Sequence, residues 1–82
     1  PETIELSFTP REGRYVKSLP LHHSQKLLLE DEKETIFSYE LSPTYDFKME
    51  VLSYGDQVKV LKPESLKKII RKELQKALDL YK

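Results

Sequence analysis

The stretch Leu52-Ser53-Tyr54-Gly55-Asp56-Gln57-Val58-Lys59-Val60-Leu61-Lys62-Pro63-Glu64-Ser65-Leu66-Lys67-Lys68-Ile69-Ile70 holds a helix end, a turn, a short strand and a helix start, with almost no residue to spare. Gly55 follows an apolar helical pattern and suits the left-handed position that closes a helix, where a side chain is strained. Asp56 and Gln57 make the turn. Val58 and Val60 alternate with Lys59, the period of a half-buried strand. Pro63 stops that strand and suits the first turn of the next helix, where a missing N–H costs nothing. A strand clamped so closely between two helices implies a tightly folded α+β unit.

Downstream, Leu66, Ile69, Ile70, Leu74, Ala77, Leu78 and Tyr81 keep a 3.6-residue spacing and predict a long final helix. Upstream, Ser42-Pro43 reads as an N-cap followed by proline in the first turn. Phe47, Val51 and Tyr54 then form a helical face, with Met49 and Leu52 nearby and Asp46 suited to the helix N-terminus. Before it, Thr35, Phe37, Tyr39 and Leu41 alternate with Ile36, Ser38 and Glu40 as a strand. Gln25 to Leu29 is a second strand, joined to it through a polar turn at Asp31 to Lys33. Leu27, Leu28 and Leu29 do not alternate, so both strand faces are covered there, or one meets another domain. Near the start, Ile4, Leu6 and Phe8 alternate with polar neighbours as a strand. Pro10 ends it and opens a short helix over Arg11 to Ser18, with Tyr15, Val16 and Leu19 as its apolar stripe. Gly13 costs that helix about 1 kcal/mol relative to Ala. Leu19 to Ser24 reads as a loop. The order is β, α, β, β, α, β, α. The fold expected is α+β: a ferredoxin-like βαββαβ unit with an additional C-terminal helix, its antiparallel sheet covered by helices on one face.

Eighty-two residues bound one small domain spanning 1–82. Chains this short bury only about 60% of their unfolded surface, so a partner's help is valuable. Fourteen Lys and Arg balance fourteen Asp and Glu, giving no net charge to favour non-specific nucleic-acid binding. The balance hides a polarity. Glu30-Asp31-Glu32-Lys33-Glu34 is acidic, and Lys62 to Lys82 carries seven Lys or Arg against Glu64, Glu73 and Asp79. There is no cysteine, so no disulfide or thiolate metal site, which fits a cytoplasmic setting. No run is long and apolar enough to cross a membrane. The chain begins with Pro1 rather than Met, and so reads as cut from a longer protein.

His22, His23, Ser24 and Gln25 form the densest polar cluster outside the charge runs. Adjacent histidines point apart and no carboxylate sits at a partner spacing, so no metal is expected. A Ser24–His22 nucleophile pair is disfavoured, because residues two apart rarely reach base-to-nucleophile geometry. The bland reading has His22 or Ser24 bonding loop backbone, and the sharper one has the cluster meeting a ligand or another domain. Arg14, Tyr15 and Lys17 offer an anion contact or simply the wet side of a helix. Lys68, Arg71 and Lys72 share a helical face at i, i+3 and i+4, a candidate for phosphates or an acidic neighbour. Phe37 and Tyr39 sit at the spacing of stacking aromatics on RNA-binding sheets, but they lack the glycines and basic residues of that signature and are assigned to the core. With only Gly13 and Gly55, no phosphate-binding glycine loop exists. No cofactor and no enzymatic activity are expected.

These motifs together resemble a known family. Leu21-His22-His23-Ser24-Gln25 is similar to the Trp-His-Pro-Ser-Gln motif of the WCX domain, the C-terminal extension of WYL-domain transcription regulators. Leu21 stands in place of the Trp and His23 in place of the Pro. The stretch from Leu52 to Pro63 resembles that domain's second motif. Arg71-Lys72-Glu73-Leu74 resembles its closing helix, Ile4-Glu5-Leu6-Ser7-Phe8 its first strand, and Arg14-Tyr15-Val16 its first helix. The resemblance covers nearly the whole chain. It implies a ferredoxin-like module in a bacterial regulator that carries a DNA-binding helix-turn-helix and an effector-sensing WYL domain. It implies subunit or WYL-domain contacts and a homo-oligomer, with a nucleic acid or nucleotide as one class of effector. His22, Ser24 and Gln25 then lie in the motif facing the WYL domain or its ligand, with Arg14 as a further anion contact.

Overall fold

The computed structural model describes residues 1–82. It has the expected order: β1 (Glu2–Phe8), α1 (Pro10–Ser18), β2 (Lys26–Glu30), β3 (Thr35–Leu41), α2 (Tyr45–Ser53), β4 (Val58–Lys62) and α3 (Glu64–Asp79), with one 3-10 turn at Gly55–Gln57. The four strands form one sheet in the order β2-β3-β1-β4, antiparallel at every pairing. β2 and β4 are its two edges.

Alternation decides which face is buried. Ile4, Leu6 and Phe8 of β1, Phe37, Tyr39 and Leu41 of β3, and Val60 of β4 enter one core. Val16 of α1, Phe47 and Val51 of α2, and Leu66 and Ile70 of α3 complete it. Phe37 and Tyr39 are therefore core aromatics, in edge-to-face contact with Phe8 at 6.0 Å and Phe47 at 5.9 Å respectively. The positions between carry polar groups. Thr3 donates to Glu40 at 2.8 Å, Ser7 donates to Glu34 at 2.6 Å, and Lys62 pairs with Glu5 at 3.4 Å.

The helix boundaries follow local chemistry. Pro10 begins α1, as expected, and Thr9, which the sequence reading did not single out, caps it. Gly55 is left-handed at φ 58 and follows the end of α2, as its placement in the sequence predicts. Two starts differ from expectation. α2 begins two residues after Pro43, because the Thr44 hydroxyl, not that of Ser42, accepts the Phe47 N–H at 3.1 Å. Pro63 precedes α3 as its cap residue instead of opening it, with an extended ψ of 167. Gly13 has a role its helix propensity hides. It is buried where α1 crosses β3, and a Cβ there would lie 2.5 Å from the Thr35 Cβ.

Exposure also departs from the periodic pattern. Val16 alone of its predicted stripe is buried, while Tyr15 and Leu19 face solvent. α3 buries only Leu66 and Ile70, and every residue from Arg71 to Lys82 is exposed. Its apolar periodicity thus continues beyond the body that its first half packs on. No helix is long and apolar enough to cross a membrane.

Candidate functional site

The loop between α1 and β2 carries Leu21-His22-His23-Ser24-Gln25, and its polar atoms are bonded inward. Gln25 is a hub. Its Nε2 donates to the Val16 carbonyl at 3.0 Å, and its Oε1 accepts from the Leu21 N–H at 3.2 Å and the Tyr39 hydroxyl at 2.6 Å. One amide thereby ties α1, the loop and β3 together, and burial raises the Tyr39 phenol well above its ordinary pKa. Ser24 adds a second tie between the loop and the same end of β3, its hydroxyl accepting the Glu40 N–H at 3.0 Å.

His22 and Ser24 are closer than their spacing suggested: Nδ1 lies 2.7 Å from the Ser24 Oγ. The Ser24 N–H also donates to Nδ1, at 3.2 Å. A backbone N–H only donates, so Nδ1 is the acceptor and the ring proton belongs on Nε2. This pair closes the loop on itself, with the serine hydroxyl already engaged by β3. The His23 ring stacks on His22 with centroids 4.1 Å apart. Beside His22 lies a small cleft of about 240 Å³, whose wall includes Ser42, Thr44, Asp46 and Glu50. Two carboxylates and two hydroxyls make it a place for a cation or a hydrogen-bond donor, not for an anion. No group of three or more metal-ligating side chains comes together anywhere in the molecule.

Arg14 stands apart from this loop, exposed on α1, with no ion pair or side-chain hydrogen bond to His22, Ser24 or Gln25. The predicted cationic face of α3 divides. Lys68, Arg71 and Lys72 all lack a carboxylate partner, whereas Lys67, Lys76 and Lys82 pair with Glu64, Glu73 and Asp79. Arg71, however, lines a groove that Lys68 and Lys72 do not.

That groove is the largest concavity, about 450 Å³, and lies between α3 and the outer strand β4. Val58, Val60, Ile70, Leu74 and Leu78 supply its apolar lining. Lys59, Lys67 and Arg71 supply its charge. The opposite edge of the sheet is apolar too. Leu27, Leu28 and Leu29 are 41%, 47% and 40% exposed, with a bulge in the β2–β3 pairing between Leu27 and Leu29. This chain therefore does not cover both faces of the triple leucine, which removes the first of its two readings within the chain.

The sequence pointed to the loop and the α3 cations but missed the groove. In the sequence Leu74 and Leu78 only continue the period of Leu66 and Ile70, which predicts a helix but not where its apolar face is covered. The structure leaves both exposed, beside the sheet edge that the strand order makes of β4.

A search of curated proteins finds no match to this chain. The family model of the WCX domain matches residues 1–78, nearly the full length. The chain therefore belongs to the WCX domain family.

Proposed function

We propose that this WCX domain is the regulatory and docking module of a bacterial, cytoplasmic WYL-family transcription regulator with a helix-turn-helix DNA-binding domain. In this reading it contacts the WYL domain of its own chain or a second subunit of a homo-oligomer, and relays effector sensing without catalysis, metal or cofactor. The match to the WCX family over residues 1–78 carries the proposal. The apolar surface left open at both sheet edges supports docking as the mode. We read the architecture as ferredoxin-like, with the helices in one layer. The βαββαβ order, the strand order β2-β3-β1-β4 and the single core fed by all three helices support that reading. The inward hydrogen bonds of His22, Ser24 and Gln25 suit residues that fix the shape of a contact loop. Removing residues 1–82 from the full-length regulator tests the proposal. Loss of the dimer or of the effector response at the operator is expected; a truncated regulator that stays dimeric and responsive contradicts it.

A second reading, direct binding of a small molecule or single-stranded nucleic acid, is favoured by one observation. Arg14, Lys68, Arg71 and Lys72 have no carboxylate partner in the chain. Titration with a short single-stranded oligonucleotide at low salt tests it. Binding through these cations weakens with salt, with a log–log slope of about −0.7 per phosphate contacted. Absence of binding, or a slope near zero, removes this reading for nucleic acid.

A further inference from the structure

We infer that the groove between β4 and α3 receives an extended segment of a partner protein, apolar at alternate positions and acidic between them, which adds to β4 as a fifth strand. The inference rests on the docking reading above and names the surface and the chemistry of what docks.

Three observations converge on this occupant. β4 ends the sheet, so one side of Val58–Lys62 presents backbone donors and acceptors that no strand of this chain meets. An added strand satisfies such a row directly. The groove beside that edge is apolar on the helix side. Val58 and Val60 continue onto Ile70, Leu74 and Leu78, so one face of an added strand would be buried. Side chains of a strand alternate between faces, so apolar residues at every second position would fill the groove while those between face the other way. The charge around the groove then sets what lies between. Lys59 alternates with the two valines and so lies on the side that the intervening residues face, while Arg71, on the groove's helix rim without a carboxylate partner, adds to the positive field around the edge. Lys67 shares the rim, held only loosely by Glu64 at 3.6 Å. Acidic residues complement these cations, and basic ones oppose them.

The same features argue against other occupants. A nucleic acid would bring the negative charge, but the groove has no aromatic side chain for base stacking. A symmetric pairing of β4 with β4 of a second copy would set Lys59, Lys67 and Arg71 against the same cations.

The probe is a fluorescein-labelled peptide, Leu-Glu-Val-Glu-Leu-Glu-Val with blocked ends, followed by polarisation. Two controls accompany it: a peptide of the same composition with its glutamates grouped, and one with lysine at each glutamate. The chain is expected to bind the alternating acidic peptide at least about tenfold more tightly than either control, a difference of about 1.4 kcal/mol. The charge-reversed variant Lys59→Glu with Arg71→Glu alters two exposed residues and is expected to exchange the preference to the lysine peptide. Leu74→Gln is expected to weaken both acidic and lysine peptides on their respective hosts. Equal binding of all three peptides, no binding, or a preference unmoved by the reversal overturns the inference. Sedimentation of the chain without peptide is read alongside. Self-association abolished by Lys59→Glu with Arg71→Glu would assign the groove to a second copy and also overturn it. Failure here combined with loss of regulation on removing residues 1–82 leaves docking intact but places it on another surface.

Discussion

At Gly13 two principles oppose each other. Alanine is the better helix former by about 1 kcal/mol, so at an exposed site Gly13→Ala would stabilise. Here the added Cβ would press on the Thr35 side chain, 2.5 Å from its Cβ, and Thr35 is itself buried in β3. Overpacking of this kind costs about 1–3 kcal/mol, so Gly13→Ala is expected to lower the urea midpoint. An unchanged or higher midpoint would show that α1 shifts freely on the sheet. At Tyr39 the argument concerns protons. Burial raises the folded-state pKa of its phenol above the ordinary value of 10.0, and Tyr54 is raised in the same direction. With the folded pKa above the unfolded one, the stabilisation is fully present below pH 10 and is lost as the solution becomes more alkaline. Tyr39→Phe is therefore expected to flatten the alkaline fall in stability while costing roughly 1 kcal/mol near neutrality, the worth of its bond to Gln25. Identical alkaline slopes in both proteins would contradict the assignment. Neither role was legible from the chain. Gly13 read only as a helix weakener, and Gln25 stood in a polar cluster whose partners, Val16 and Tyr39, are brought to it by the fold.

At the scale of elements, most of the chain declares itself. Alternation in β1 and β3, Pro10 at the start of α1, and Gly55 at the end of α2 each reflect one local rule, and each appears where that rule puts it. Local rules failed where two neighbours compete for one task. Ser42 and Thr44 both cap helices well, and only the reach of Thr44 to the Phe47 N–H decides between them. They failed again where periodicity outran burial. α3 has one continuous apolar stripe, but its first half is core and its second half is surface. This division predicts a split response. Leu66→Ala removes a fully buried side chain and is expected to cost about 2–5 kcal/mol. The double change Leu74→Gln with Leu78→Gln alters only exposed residues and is expected to stay within about 0.5 kcal/mol per site. Thermal melts of the two variants check this. A loss in the glutamine variant as large as that in Leu66→Ala would mean that the far half of α3 folds back on the domain.

For the whole molecule, a small core and open apolar edges belong to one explanation. A chain of this length has limited apolar surface to bury. This one nonetheless leaves Leu27, Leu28, Leu29, Leu74 and Leu78 in the open, at the two edges of its sheet. On the docking reading proposed above, a neighbour covers these edges. The most direct measurement is amide hydrogen exchange on the domain alone and within the full-length regulator proposed above. The account predicts that Val58–Lys62 and the exposed half of α3 exchange measurably more slowly in the regulator, while the core of β1 and β3 exchanges alike in both. Equal exchange across β4 and α3 in the two forms would contradict docking through this surface.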